Sequence, residues 1–170
     1  MSVGGNAAYA RIAGLPSLVA KAVQLAESMH FDNSCAPEQG RLLSVLAAGR
    51  KGCRIGKTGI GCGVGLAWMV DVTDRSTSFV SIEIDAARTA AAADFYRDFP
   101  NVRVVEGTWQ RLRGHGPFDL PVLDGGGTGK DRAPTRRSTR PTAGSPSAAW
   151  SSWTTSPRRR TNGAPARPGP

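Results

Sequence analysis

The sequence predicts an α/β protein built on a parallel, doubly wound sheet. Three observations carry that prediction. Glycines recur at alternate positions, Gly59, Gly61 and Gly63, between a short β-like stretch and an apolar run over residues 66–70. Glycine suits a tight strand-to-helix turn that brings backbone close to a ligand, and the amides opening the helix favour electron-rich groups. Strand-like and helix-like segments then alternate along the chain, the pattern of a parallel sheet covered by helices. Glu83 closes the second strand twenty residues after Gly63. In a doubly wound fold a carboxylate there lies beside the turn and can accept hydrogen bonds from ribose hydroxyls.

Residues 1–14 are small and weakly patterned, a flexible lead-in or short helix. Pro16 opens a helix to about residue 29, with Leu18, Val19, Ala22, Val23, Leu25, Ala26 and Met29 on one face. After a loop over 30–37, residues 38–48 form a second helix. Leu42, Leu43 and Leu46 mark its buried side, and Gly49 ends it. The first strand falls around 53–56, followed by the glycine turn and a helix to about 70. Residues 78–84 are rich in β-branched types and form a strand. Asp85 caps an alanine-rich helix to about 99, where Pro100 and Asn101 break it. Residues 102–106 and 118–124 supply the third and fourth strands.

Length and charge bound the rest. A chain of 170 residues suits one domain. Residues 1–124 hold 13 Lys/Arg against 12 Asp/Glu, a net of +1, whereas residues 125–170 hold 9 against the single acid Asp131, a net of +8. The high pI therefore belongs to the tail. The last 47 residues contain no Ile, Leu, Val, Met, Phe, Tyr or Cys but seven of the twelve prolines. Such a segment cannot bury enough apolar surface to offset its ordering entropy, so residues 125–170 are expected to be a disordered basic tail. Cys35, Cys53 and Cys62 lack metal-ligand spacing and are expected to be reduced thiols in a cytoplasmic protein. No apolar run approaches the roughly 20 residues that span a bilayer. His30 and His115 have no partners at catalytic spacing and are expected to be ordinary polar residues.

The glycines form G-x-G-x-G rather than the dinucleotide fingerprint, since Val64 or Leu66 stands where its third glycine falls. Together with SCAPEQGRLL, VSIEID, NVRVVEGTW and GPFDLPVLDGG, the run TGIGCGVGLAW resembles bacterial O-methyltransferases of the catechol-methyltransferase-like class. That is class I of the S-adenosylmethionine-dependent, Rossmann-like methyltransferases. The resemblance covers most of residues 15–124. It implies that Gly59, Gly61 and Gly63 approach the methionine part of the cofactor and that Glu83 holds its ribose. It implies further that Gly107, Thr108 and Trp109 face the adenine. Asp124 would lie at the active site, where metal-dependent members use the acid to bind Mg²⁺. The implied reaction is methyl transfer to the hydroxyl of a small molecule, with donor and acceptor aligned and the hydroxyl deprotonated. Homo-oligomerisation is left open.

Three departures point to impaired activity. Lys57 stands where the family has an acid, placing positive charge beside a cationic cofactor. Thr108 replaces an acid that meets the adenine amino group, and Pro121 removes a ladder donor from the fourth strand. Two alternatives stand beside an active enzyme: a cofactor-binding remnant without turnover, and a nucleic-acid-binding protein acting through the tail's Arg136-Arg137 and Arg158–Arg160.

The tail also fails to supply the further strands that the family carries. Back-translated with high-GC codons and read one base earlier, residues 137–157 give approximately AEYAADGGVAVGGLVVVDDFT. That string resembles the missing strand and its acid pair. The expectation is a frame shift between Asp124 and Arg137. An independent read of the gene is expected to show a single-base indel in that interval; a read with no plausible indel there discards the idea.

Overall fold

A computed structural model describes residues 5–125. The tail, with its expected disorder and basic runs, lies outside the described residues.

The chain first forms a 3-10 helix, Gly5–Arg11, then α1 (Ser17–Ser28) and α2 (Pro37–Ala48). The alternating part follows: β1 (Arg54–Thr58), α3 (Val64–Asp71), β2 (Ser78–Glu83), α4 (Ala86–Phe95) and β3 (Val102–Glu106). A second 3-10 helix, Trp109–His115, leads to β4 (Leu120–Leu123). All pairings are parallel and the strand order is β3-β2-β1-β4. The chain thus steps outward from β1 to β3 and returns on the far side of β1. The reversal between β1 and β4 is the switch point beside which doubly wound sheets bind ligands.

Register shows how the two faces are filled. Ile55 pairs with Phe79 and Leu120, and Phe79 with Val102, so these side chains share one face. They join Leu66, Met69, Val70, Ala92 and Tyr96 in one core cluster. Gly56 pairs with Val80 on the opposite face, where a Cβ on Gly56 would press into the Phe118 ring. Leu112 of the second 3-10 helix is buried as well.

α1 buries Val19, Ala22, Val23 and Ala26 as its spacing predicts. The first 3-10 helix is tied to the loop before α2 and to α3 through a buried tyrosine. Tyr9 donates to Cys35 O at 2.9 Å and accepts from Trp68 Nε1 at 3.0 Å. The stretch expected as a lead-in or short helix therefore contains an anchored turn.

α2 departs from expectation. Leu42 and Leu46 are exposed, Leu43 is half-buried, and Gly40 and Ala47 take the inner side. Ser44 donates to Trp68 O at 2.8 Å. The helix packs through small residues because α3 presents the Trp68 indole against it, and a Cβ at Gly40 would fall on that ring. α4 ends at Phe95, four residues before its expected end, because Tyr96 turns into the core. Its ring packs edge-on against Phe95 and Phe99, 4.8 and 5.8 Å between centroids. β1 runs two residues further than expected, to Thr58, and β4 is shorter, Leu120–Leu123. Pro121 does not interrupt that strand. Its register with Gly56 is continuous, and β4 is outermost among the described strands, where proline is tolerated. The cysteines are free, and among the described residues no helix is long and apolar enough to cross a membrane.

Gly40→Ala sets helix propensity, which favours alanine by up to about 1 kcal/mol, against overlap with Trp68. Overlap is expected to win, with about 1–3 kcal/mol lost in a denaturant melt. A midpoint at or above the wild-type value would refute this packing.

Candidate functional site

The site is assembled where the parallel strands end. Gly59, Gly61 and Gly63 all have left-handed φ, at 69°, 56° and 94°, so side chains are strained at each. The turn is pinned to the end of β2, since the amides of Gly59 and Ile60 both donate to Ile82 O, at 2.8 and 3.2 Å. Each glycine also meets protein. A Cβ would collide with Gly125 backbone at Gly59, with the Phe31 ring at Gly61 and with the Tyr96 ring at Gly63. Tyr96 Oη donates to Gly63 O at 2.8 Å, fixing the start of α3. The motif is therefore needed for packing as well as for any ligand.

Glu83 closes β2 beside this turn, as its spacing predicts, and is buried. Its Oε2 accepts from the Gly61 amide at 2.9 Å. Its Oε1 accepts from the Ile84 and Asp85 amides, each at 3.1 Å, and from Arg88 Nη2 at 3.0 Å. Two lone-pair directions per oxygen make Oε1 saturated, while Oε2 retains acceptor capacity. Arg88 also pairs with Asp85 at 3.4 Å and lies over the Phe31 ring, 5.0 Å from its centroid. Its Nε is buried with no hydrogen-bond partner among the described residues. Sequence reading missed Arg88 and Phe31. Arg88 had a signal, since its amide caps on Asp85 at 2.8 Å, which puts it in the first turn of α4 and turns it back toward the strand end. Phe31 had none, because a loop residue thirty positions upstream reaches the turn only through tertiary packing.

Gly107 follows β3 with φ 143° and donates its amide to Glu83 O at 2.7 Å, so the β3 end adjoins the β2 end. Thr108 is exposed and Trp109 half-buried, with the Arg113 guanidinium 5.5 Å from its ring centroid. Asp124 follows β4 on the other side of β1. Its carboxylate meets Lys57, 2 % exposed, whose Nζ lies 3.0 Å from Asp124 Oδ2 and also donates to Gly59 O at 2.7 Å. The positive charge that the sequence places beside the cofactor is thus paired within the protein. Burial alone would raise the Asp124 pKa. Lowering contributions, of which the charge and hydrogen bond of Lys57 are the largest, outweigh it, so the carboxyl is held below its ordinary value. Thr58 Oγ1 accepts from the Asp124 and Gly125 amides at 3.2 and 3.3 Å, locking the two strand ends together.

Other titratable groups offer little chemistry. Burial pushes the Cys62 thiol up to about 11, so it is protonated at neutral pH. His115 sits in the second 3-10 helix, and burial with nearby Arg103, Arg54 and Arg111 lowers its pKa. Among the described residues no three His, Cys, Asp or Glu side chains are grouped to hold a metal.

No family model and no curated protein matches this chain. Solved structures do. The O-methyltransferase TomG from Streptomyces achromogenes, in complex with S-adenosylmethionine, superposes with a TM-score of 0.57 at 21% identity over 68% of this chain and 56% of its own. An O-methyltransferase from Bacillus cereus in complex with S-adenosylhomocysteine gives 0.57 at 17% identity, over 71% and 60%. A Podospora anserina methyltransferase bound to S-adenosylhomocysteine gives 0.57 at 22% identity, over 69% and 54%. The chain thus has a methyltransferase-like α/β fold and spans under two thirds of the length of these structures.

A lowered carboxylate pKa contributes stability that is complete above the unfolded-state value, about 3.9, and lost as pH falls through the folded value. Asp124→Asn strands a buried ammonium and is expected to cost about 3 kcal/mol at pH 7. In paired melts the gap to wild type is expected to close below about pH 4. A gap that persists into acid would mean the loss is not that of the ion pair.

Proposed function

We propose that this chain binds S-adenosylmethionine at the carboxyl end of its sheet and transfers the methyl group to the hydroxyl of a small molecule. One observation carries the reading. The Gly61 amide and the Glu83 carboxylate meet at 2.9 Å beside the β1/β4 switch point, joining a helix-opening turn to an acid that still has acceptor capacity. The unmet Arg88 Nε–H beside that acid is a second buried polar group suited to a ligand. Methyltransferases of this fold that bind S-adenosylmethionine or S-adenosylhomocysteine support the cofactor class.

In this reading Glu83 Oε2 accepts from ribose, the glycine turn faces the methionine part, and Gly107, Thr108 and Trp109 face the adenine. The bound cofactor supplies a methyl group on a sulfonium, already a good leaving group. The protein's task is to align the acceptor and take its proton. Asp124 is the acid nearest that task. Held ionised by Lys57 with a depressed pKa, it is a weak base toward a hydroxyl, so slow turnover follows. The same ion pair favours a second reading, a chain that binds cofactor without turning over. Mg²⁺ does not fit this donor set. The Asp124 carboxylate already faces an ammonium at 3.0 Å, and no catalytic step is assigned to a metal.

Calorimetric titration of S-adenosylhomocysteine into the full chain is expected to show one-site binding, weakened about ten- to a hundredfold by Glu83→Gln. A folded wild-type chain that takes up no ligand would leave the methyltransferase fold as ancestry alone. Labelled-methyl transfer to a catechol-type acceptor then separates slow enzyme from inert binder.

A further inference from the structure

We infer that Lys57 takes the place of a divalent cation at the end of β1: its ammonium neutralises Asp124 and ties the glycine turn to the end of β4, so the site works without metal. The inference deepens the methyl-transfer reading and rests on it for the site's purpose, but the ammonium geometry stands by itself.

An ammonium has three N–H groups and no acceptor. Lys57 Nζ has three oxygens in reach: Gly59 O at 2.7 Å, Asp124 Oδ2 at 3.0 Å and Thr58 O at 3.4 Å. Those oxygens come from the glycine turn, from the end of β1 and from the residue after β4. A buried cation held by one carboxylate and two carbonyls is a small oxygen cage of the kind that binds hard metal ions. Here the chain fills it with its own side chain. The stem is held too, because a Cβ added at Gly65 would lie 3.2 Å from Lys57 Cε, so the small residue opening α3 leaves room for the lysine. A dication at Asp124 would have to share its carboxylate with this ammonium at contact distance, where like charges repel in a poorly screened site.

Mg²⁺ and Mn²⁺ sites built from protein draw on several carboxylate or imidazole groups, and among the described residues no three His, Cys, Asp or Glu side chains are grouped to hold a metal. Lys57 thus acts as a positioning residue. Its ammonium is directed at Asp124 and at the Gly59 and Thr58 carbonyls, and it works through those groups.

The test uses the full chain, stripped with chelator, and titrates Mn²⁺ by water-proton relaxation alongside S-adenosylhomocysteine calorimetry. Wild type is expected to show no saturable Mn²⁺ binding, and its affinity for S-adenosylhomocysteine is expected to be unchanged by chelator. Lys57→Glu, which puts a second carboxylate beside Asp124, is expected to gain Mn²⁺ binding by about tenfold or more over wild type. The wild-type arm stands even if that variant does not fold. One-to-one Mn²⁺ binding to wild type that disappears in Asp124→Asn would overturn the inference. Metal-free wild type that also ignores S-adenosylhomocysteine would leave the ammonium site intact and remove the cofactor reading.

Discussion

A lysine ammonium almost wholly out of water holds the carboxyl end of this sheet together. Lys57 belongs to β1, an inner strand among those described, and its side chain donates to the Gly59 carbonyl of the turn that follows. Burying such a charge is expensive unless it is paired and hydrogen-bonded. Asp124 supplies the counter-charge and Gly59 and Thr58 supply carbonyls, so the cost is met by groups from both sides of the switch point. The close approach of Gly59 to Gly125 follows from the same requirement, because the two loops must touch for the carboxylate to reach the ammonium.

A second buried charge, on Glu83, organises the other half of the site. Its four donors come from the glycine turn, from the two residues that follow it and from the first turn of α4. Arg88 neutralises it and stacks on Phe31, which covers Gly61. The two ion pairs lie on opposite sides of one glycine turn, so the backbone there is fixed before any ligand arrives. Preorganisation of this kind lowers the entropy lost on binding. It also explains why three left-handed glycines are needed, since each is pressed by a neighbour as well as turned by the chain.

The parallel strands, the helix before them and the positions of Glu83 and Asp124 at strand ends were legible in the sequence. Each rests on a local signal: β-branched runs bounded by turn residues, a 3.6-residue apolar repeat, and spacing from the glycines. Such signals survive in one dimension because backbone geometry alone creates them. The inner face of α2 was not legible. Its leucines pointed to one side, yet Trp68 from another helix made the small residues Gly40, Ser44 and Ala47 the better fit. The end of α4 was misread for the same reason, since Tyr96 leaves the helix to bond Gly63 and fill the core.

By itself, then, the sequence determined an alternating α/β chain with a glycine turn and acids at its strand ends. Tertiary structure decided what those acids do. The partner of Lys57 was not legible, because it lies 67 residues away and no periodicity links the two. Arg88 and Phe31 joined the site in the same manner, through contacts between elements that only the folded chain brings together. Charge pairing across a sheet depends on which strand ends become neighbours, and that is a property of topology rather than of local sequence.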